Sequence, residues 1–329
     1  MNAKERVMGV VNLQTVDRVP VAPFVMAFAA HFAGVPYGKY CTEYRLMAEA
    51  QMKTVEAFGY DIVTVDTDAY REAEACGAIL EFQEDGLPLE VRPALQAKTD
   101  LLSWKLPNLE ASPRLYDKVL GVAELKRFAG ENYPILGWVE APFQSASILR
   151  NISFFMIDLY EDPSFVHSLL NFTTEMALMY GRAQAEAGAD IIGVGDAVAS
   201  LISPRDYETF VLPYTLRLVK GLQEFGVKVK YHICGNSSHL LGNIAKLGAN
   251  IVNIDAKVDL NQARRVLEET CLKGNLDPMR LLNGTPEEIR KQVQVAVAYG
   301  GSRYMVSPGC EVPVATPHEN FLAMIQAVR

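Results

Sequence analysis

The sequence predicts an α/β protein in which eight parallel strands, each followed by a helix, close into a TIM (β/α)8 barrel. First, short apolar and β-branched runs alternate with helical patterns, and alternation at this spacing is typical of parallel strands. Second, the strand-like runs number eight, near residues 21, 62, 135, 191, 229, 251, 271 and 304. Third, the chain of 329 residues has no composition break or internal repeat, so we expect a single barrel domain over residues 1–329.

The N-terminal third supplies two of the strands and an insertion. VPVAPFVM (19–26) and YDIVTVD (60–66) are predicted strands, and residues 42–58 between them are a predicted helix. The polar, proline-punctuated segment near residues 76–120 includes EFQEDGLPLEVRP. Its composition predicts an inserted hairpin or excursion from the barrel.

From about residue 133 onward the alternation is regular. Proline in the first turn marks helix starts at Pro163, Pro204, Pro286 and Pro317. The predicted strands are 133–140, 189–196, 227–234, 249–255, 270–275 and 302–307, and the predicted helices are 163–188, 237–247, 259–269 and those that begin at 204, 286 and 317. A doubly wound open sheet is the alternative fold, and the lack of a G-x-G-x-x-G turn disfavours it only weakly.

Composition argues against several classes of protein. The net charge of −8 disfavours nucleic acid and anionic membranes as partners, because both select for basic surfaces. The N-terminus lacks the apolar core of a signal peptide, and no apolar run approaches the roughly 20 residues of a membrane helix. Five cysteines without framework spacing argue against a disulfide scaffold. We therefore expect a cytoplasmic protein whose reduced thiols are available for metal.

Polar residues follow the carboxyl ends of the predicted strands, which in a barrel open onto one mouth where active sites are built. They are Asp66, Asp68, Glu140, Asp196, His232, Cys234, Asp255, Asn275, Asp277 and Cys310. Asp196 and Asp255 are predicted to be catalytic. Asn275, Asp66 and Glu140 are predicted to bind the cofactor. Helix capping is the alternative for the aspartates, and a tight turn is the alternative for GNLDP.

Three of these residues are a candidate set of zinc ligands. His232 and Cys234 are two residues apart in a strand and share a face, and Cys310 ends another strand at the same mouth. One histidine and two cysteines leave a fourth position open, as in catalytic zinc sites, and the sequence has no C-x-x-C pair typical of structural sites. Asp255 is a candidate fourth ligand in the substrate-free state. The alternative is a buried, satisfied histidine beside an inert cysteine.

The charge of this ligand set favours alkyl transfer to sulfur over hydrolysis. Zn²⁺ with two thiolates and a neutral imidazole is neutral, so a bound substrate thiolate brings the cluster to −1 and its sulfur stays electron-rich. Such a site ionises a coordinated thiol whose free pKa is about 8.5. A site with only histidine ligands would remain cationic and would suit water activation better.

The strings YHICGN, GANIVNIDAKVDL, KGNLDP, NGTPEEI and SPGCEVPVATPHENFLAM together resemble the uroporphyrinogen decarboxylase superfamily, and within it the zinc-dependent methylcobamide:coenzyme M methyltransferases. The resemblance is ordered over residues 189–329 and weaker but collinear upstream. It implies a TIM barrel with Zn²⁺ on His232, Cys234 and Cys310. It also implies that a zinc-activated thiol attacks the methyl group of a methyl-Co(III) corrinoid, which a small corrinoid-binding protein delivers.

The sequence leaves other functions open. The same ligands would serve a transferase that moves a methyl group from a methoxyl, methylamine or thioether donor to the corrinoid, or one with tetrahydrofolate as acceptor. A decarboxylase is a minor alternative, because true decarboxylases of this superfamily carry arginines after the first strand and none lies between Arg18 and Arg45 here. A barrel that acts only as a binding or scaffold subunit is the non-enzymatic alternative.

Overall fold

The computed structural model describes residues 1–328, and its centre is a curled parallel sheet. The strands are β1 (Val63–Thr64), β2 (Ile79–Glu81), β3 (Leu89–Arg92), β4 (Ile135–Glu140), β5 (Ile191–Gly195), β6 (Lys228–His232), β7 (Ile251–Ile254), β8 (Cys271–Leu276) and β9 (Tyr304–Pro308). The central sheet has the order β1-β4-β5-β6-β7-β8-β9, so each strand pairs in parallel with the next one along the chain. This is the strand order of a TIM barrel.

The segment around Val21 joins the two edges of the sheet. Val21 forms a parallel bridge with Val306 of β9, and the Val21 carbonyl accepts a hydrogen bond from the Asp61 N–H at 2.7 Å, just before β1. The strand predicted at 19–26 is therefore reduced to isolated bridges, because Pro20 and Pro23 cannot donate to a strand ladder. The barrel prediction is confirmed, and the open doubly wound sheet is wrong.

Helices surround the sheet and connect successive strands. They are α1 (Ala3–Val11), α2 (Ala27–Ala33), α3 (Tyr37–Thr42), α4 (Tyr44–Phe58), α5 (Arg71–Ala75), α6 (Pro113–Ala129), α7 (Pro142–Arg150), α8 (Ile152–Glu161), α9 (Pro163–Glu186), α10 (Pro204–Asp206), α11 (Leu212–Glu224), α12 (Leu241–Ala245), α13 (Leu260–Val266), α14 (Pro278–Asn283), α15 (Pro286–Gly300) and α16 (His318–Gln326). Short 3-10 turns lie at Lys98–Ser103, Ala197–Leu201 and Ser238–Leu240, and a π-helical turn lies at Tyr207–Val211. In residues 1–328 no helix combines the length and the apolar character needed to cross a bilayer.

The proline signals locate several of these helices correctly. Pro163, Pro204 and Pro286 each occupy the first turn of a helix, where the N–H that proline lacks would have no partner. Thr285 also forms a capping box with Glu288, because each side chain accepts a hydrogen bond from the other residue's backbone N–H.

The predicted insertion near 76–120 contains the antiparallel hairpin of β2 and β3. Its C-terminal limit is earlier than the prediction placed it. Residues from Pro113 onward belong to α6, which packs against α4 and β4 and is therefore a helix of the barrel. The polar, proline-containing sequence around 105–113 hides this boundary, because Ser112–Pro113 starts the helix and also resembles a loop.

The centre of the barrel is filled by aromatic side chains packed over glycines. The ring of Trp138 on β4 lies over Gly193 and Gly195 of β5, where an added Cβ would meet the ring at 2.2 and 2.8 Å. Phe24 stacks on Trp138 with ring centroids 4.9 Å apart. The two glycines therefore make room for a large ring inside the barrel.

Candidate metal centre

The three predicted zinc ligands converge at the mouth of the barrel. His232 ends β6, Cys234 follows it two residues later, and Cys310 lies two residues beyond β9. The Nε2 atom of His232 lies 3.0 Å from the Cys234 Sγ, and the two Sγ atoms are 3.5 Å apart. All three ligand atoms lie within 4.8 Å of one another.

The separation of the two sulfurs fits a tetrahedral ion. Zn–S bonds of about 2.3 Å at tetrahedral angles put two sulfurs about 3.8 Å apart, close to the separation found here. The imidazole contacts the main chain on the side opposite the sulfurs, because its Nδ1 lies 3.2 Å from the main-chain oxygen of Asn253. A proton on Nδ1 donated to that oxygen leaves the Nε2 lone pair free for a metal.

A hydrogen bond couples the two thiols. This bond and the proximity of His232 lower the pKa of the Cys310 thiol below its usual range, whereas the same bond and burial raise the pKa of Cys234. The Cys310 sulfur is thus the more acidic of the two and the one with most thiolate character. Thiolate is the form that binds Zn²⁺.

Asn253 connects the histidine ligand to a buried lysine, a network that sequence reasoning missed. Its Oδ1 accepts from the Lys273 Nζ at 2.6 Å, and its Nδ2 donates to the Gly309 carbonyl at 2.8 Å and lies 2.9 Å from the His232 Nδ1. The Lys273 Nζ also donates to the Ser307 Oγ at 2.8 Å. Burial lowers the pKa of Lys273 well below its usual range. This network fixes the Asn253 side chain and the backbone against which the imidazole rests.

A second buried lysine lies directly below the ligands. Lys230 is two residues before His232 on β6, so both side chains point into the barrel. Its Nζ is 4.6 Å from the ring centroids of both Phe24 and Trp138. Burial lowers the pKa of Lys230 to about 8. The sequence signal was the alternation of Lys230, His232 and Cys234, which places all three on one face.

Asp196 and Asp255, the predicted catalytic aspartates, lie outside the ligand cluster. Both oxygens of Asp255 accept backbone hydrogen bonds, from Gly235 at 3.0 Å and Lys257 at 2.9 Å, so this carboxylate shapes the loop after β7. Asp196 is fully buried after β5, and its Oδ2 accepts from the Tyr231 hydroxyl at 2.7 Å. Burial raises the pKa of Asp196 to about 7. Catalytic roles for these two residues stay predictions.

Asp66 and Glu140, predicted to bind the cofactor, lie in a buried charge cluster around Arg71. Asp66 hydrogen bonds to this guanidinium, and a Glu140 oxygen lies 3.7 Å from it. Glu140 also accepts from the Trp138 Nε1 at 2.9 Å. Burial, and the neighbouring carboxylates Glu72 and Asp66, raise the pKa of Glu140 well above its usual range. Arg71 and Glu72, which sequence reasoning did not single out, complete this cluster.

Two clefts lie beyond the C-terminal ends of the strands, one after β7 and β8 and the other after β9. Asn275, the third predicted cofactor ligand, lines a cleft of about 770 Å³ beside α13 and α15, and its Nδ2 donates to the Val258 carbonyl. A second cleft of about 750 Å³ lies between α2, the turn of the β2–β3 hairpin and Glu311, the residue that follows Cys310. The insertion therefore forms one wall of a cleft that extends to the residue after a predicted metal ligand.

Comparisons with known proteins agree with this geometry. The sequence matches the uroporphyrinogen decarboxylase (URO-D) family over residues 2–329. Two methylcobamide:CoM methyltransferases MtbA, from Methanosarcina acetivorans and Methanosarcina mazei, are 29% and 28% identical, and each match covers 99% of this chain and 97% of the relative. A uroporphyrinogen decarboxylase from Thermodesulfovibrio yellowstonii is 28% identical over 88% of this chain and 85% of that protein.

Structural comparison gives the same result. The solved structure of a methyltransferase from Methanosarcina mazei has a TM-score of 0.92 and 25% sequence identity, with 99% of this chain and 98% of that chain covered. The predicted resemblance to the methylcobamide:coenzyme M methyltransferase branch is therefore confirmed. Because the family match spans nearly every residue, this chain belongs to the uroporphyrinogen decarboxylase family.

Proposed function

We propose that this protein is a zinc-dependent methyltransferase that moves a methyl group from a methyl-Co(III) corrinoid to a thiol acceptor such as coenzyme M. The observation that carries the proposal is the convergence of His232, Cys234 and Cys310 at the barrel mouth. The relatives matched over nearly their whole length, which are named methylcobamide:CoM methyltransferases, support it.

The side chains present fit the metal. His232, Cys234 and Cys310 would hold the ion, which supplies a Lewis acid that lowers the pKa of the acceptor thiol. The main-chain oxygen of Asn253 lies 3.2 Å from the His232 Nδ1 and would accept a proton carried there, which would leave Nε2 for the metal. The half-buried positions of Cys234 and Cys310 leave the centre accessible from the mouth.

The net reaction balances without another reactant. The acceptor releases its thiol proton to solvent, and its sulfur forms a bond to the methyl carbon. The Co–C bond breaks at the same time, and its electron pair stays on cobalt as Co(I). A methylcorrinoid is the co-substrate, and we propose that a small corrinoid-binding protein presents it at the mouth.

Transfer in the opposite sense, from a methoxyl, methylamine or thioether donor to Co(I), would use the same ligands. Tetrahydrofolate as acceptor is a further variant of the same site. These methyl donors and tetrahydrofolate should each be tested as separate substrates.

The test follows methylcobalamin by visible absorbance as it is converted to Co(I) cobalamin with coenzyme M, homocysteine or tetrahydrofolate. We expect about one zinc per chain and thiol-dependent demethylation. Cys310→Ser should lose both zinc and activity while its unfolding transition stays cooperative. Cys76→Ser, which changes a half-buried cysteine outside the cluster, is the control and should retain both. Full activity in Cys310→Ser would refute the metal role.

A further inference from the structure

Cys234 and Cys310 are the one pair of cysteines in residues 1–328 whose sulfurs are in contact. Their Sγ atoms are 3.5 Å apart, although the residues are 76 positions apart in the chain. Both side chains are half-buried at the barrel mouth, so a small solute can reach them. An accessible thiol with a second thiol beside it is the usual arrangement of a cysteine pair that oxidises reversibly to a disulfide.

The other three cysteines lack such a partner in the part of the chain that the structure describes. Cys41 and Cys271 are buried. Cys76 is half-buried, and its sulfur contacts the Met176 Sδ at 3.5 Å instead of a second thiol. A thioether has no S–H group and cannot form a disulfide with a cysteine. An oxidant therefore meets one place at which two thiols can join.

The main chain beside Cys310 is fixed. The preceding residue, Gly309, accepts a hydrogen bond from the Asn253 Nδ2 at 2.8 Å. Gly309 also packs so closely on the loop after β7 that an added Cβ would lie 2.4 Å from the Ala256 nitrogen. The Cα of Cys310 therefore has little freedom to move.

The main chain beside Cys234 has more room. Gly235 follows it with a φ of +85°, and the nearest atom to an added Cβ there is the Ser200 Oγ at 3.5 Å. A disulfide holds its sulfurs about 2.05 Å apart, so the two sulfurs have to approach by about 1.5 Å. We expect a rotation of the Cys234 side chain and a small shift of its loop to supply this movement.

We propose that Cys234 and Cys310 are a site of reversible oxidation, at which hydrogen peroxide or another hydroperoxide converts the pair to a disulfide and releases the metal. One sulfur attacks a peroxide oxygen and the O–O bond breaks, which gives a sulfenic acid and one water molecule from hydrogen peroxide. The second sulfur attacks the sulfenic sulfur, and the S–S bond forms as the hydroxyl group leaves as a second water molecule. The two sulfurs lose two electrons, which the peroxide oxygens gain. In the zinc-loaded protein both sulfurs are thiolates, so solvent supplies the two protons that the water molecules need.

The disulfide removes two of the three metal ligands. Disulfide sulfurs carry no charge, and the His232 imidazole alone cannot complete a zinc site. The metal therefore leaves. A dithiol reductant restores both thiols by exchange, after which zinc can bind again. This inference goes beyond the proposed function, because the pair oxidises whichever substrate the barrel serves.

The first experiment maps the oxidised cysteines in the native, zinc-loaded protein. The protein is treated with hydrogen peroxide, unfolded, alkylated and digested for mass spectrometry. We expect one cross-linked peptide pair that contains Cys234 and Cys310, about 2 Da lighter than the two thiol peptides together. The other three cysteines should be alkylated. Alkylation of all five, or sulfinic and sulfonic acids at 234 and 310 without a cross-link, would overturn the inference.

The second experiment follows zinc during the same oxidation with a chromophoric chelator. Zinc release should match disulfide formation one to one, and dithiothreitol followed by added zinc should restore the metal content. A cross-linked protein that keeps its zinc would overturn the proposed release.

Two variants separate the pair from cysteine oxidation in general. Cys76→Ser is the matched control, because Cys76 is half-buried like the pair but lies outside the cluster, and it should form the same disulfide at the native rate. Cys234→Ser leaves Cys310 without a partner, so peroxide should convert Cys310 to a sulfinic acid that dithiothreitol does not reverse. Full recovery of the Cys310 thiol in that variant would contradict the role of the pair. The mapping of the native protein depends on neither variant.

This inference and the proposed function fail in distinguishable ways. A protein that forms the disulfide and releases zinc, but does not demethylate methylcobalamin, keeps the oxidation site and refutes the proposed reaction. An active enzyme that resists peroxide does the reverse.

Discussion

Asp196→Asn should stabilise the protein above about pH 7. Burial raises the pKa of this carboxyl to about 7, against about 3.9 in an unfolded chain. The folded protein therefore holds the proton more tightly than the unfolded chain does. For an acid shifted in this direction, the free energy of unfolding falls as pH rises from about 4 to about 7 and stays low at higher pH.

The size of the effect follows from the shift. A difference of about 3 pKa units at about 1.4 kcal/mol each corresponds to roughly 4 kcal/mol, and relaxation around the charge reduces this to on the order of 2–4 kcal/mol. Asparagine carries no charge at any of these pH values, and its carbonyl can still accept from the Tyr231 hydroxyl. The variant should match the native protein near pH 4–5 and exceed it in stability at pH 8.

The assay is urea unfolding at fixed ionic strength at pH 5, 6, 7 and 8. Asp259→Asn is a suitable control, because asparagine retains the cap hydrogen bond to the Gln262 N–H at the start of α13. Tyr231→Phe removes the donor to Asp196, so its loss of stability between pH 5 and 8 should exceed that of the native protein. A stability difference between Asp196→Asn and the native protein that stays constant from pH 5 to pH 8 would refute the reasoning.

Two further variants test the support of the metal centre and the packing beneath it. Asn253→Ala removes the amide that contacts the His232 ring and the Gly309 carbonyl. Zinc affinity, measured by competition with a chromophoric chelator, should therefore fall roughly 10- to 100-fold. Unchanged affinity would show that the backbone contact to His232 alone suffices. Gly193→Ala places a Cβ 2.2 Å from the Trp138 ring, so its free energy of unfolding should fall by about 1–3 kcal/mol. Gly242→Ala, where an added Cβ meets nothing within 4 Å, is the matched control and should be neutral or stabilising.

The sequence was sufficient to predict the barrel and to predict that His232, Cys234 and Cys310 meet at its mouth. Strand–helix alternation and first-turn prolines are local signals, and the strand ends of a barrel bring distant residues to one mouth. The predicted strand near residue 21 was too long, because prolines at 20 and 23 interrupt its hydrogen bonds and only tertiary pairing shows which bonds survive.

The residues that surround the ligands were not predictable in the same way. Asn253 and Lys273 lie in strands that are buried on both faces, so alternation alone does not tell which face points inward. Lys230 could be placed on the ligand face by its spacing from His232, but its aromatic neighbours could not be predicted. Their roles depend on contacts between strands β6, β7, β8 and β9, which no local pattern encodes. Buried lysines in apolar strands were the available signal, and they mark the interior of this barrel.

The ring of Trp138 has a kinetic consequence. It packs on β5 and on Phe24 and occupies the lumen at that level, which leaves the ends of the strands as the approach to the ligands. Under the proposed function, a corrinoid protein docked over the strand ends would enclose an acceptor that is already bound and would block one that arrives later. Turnover should then follow a compulsory order, in which the thiol binds first and the methylated product leaves last.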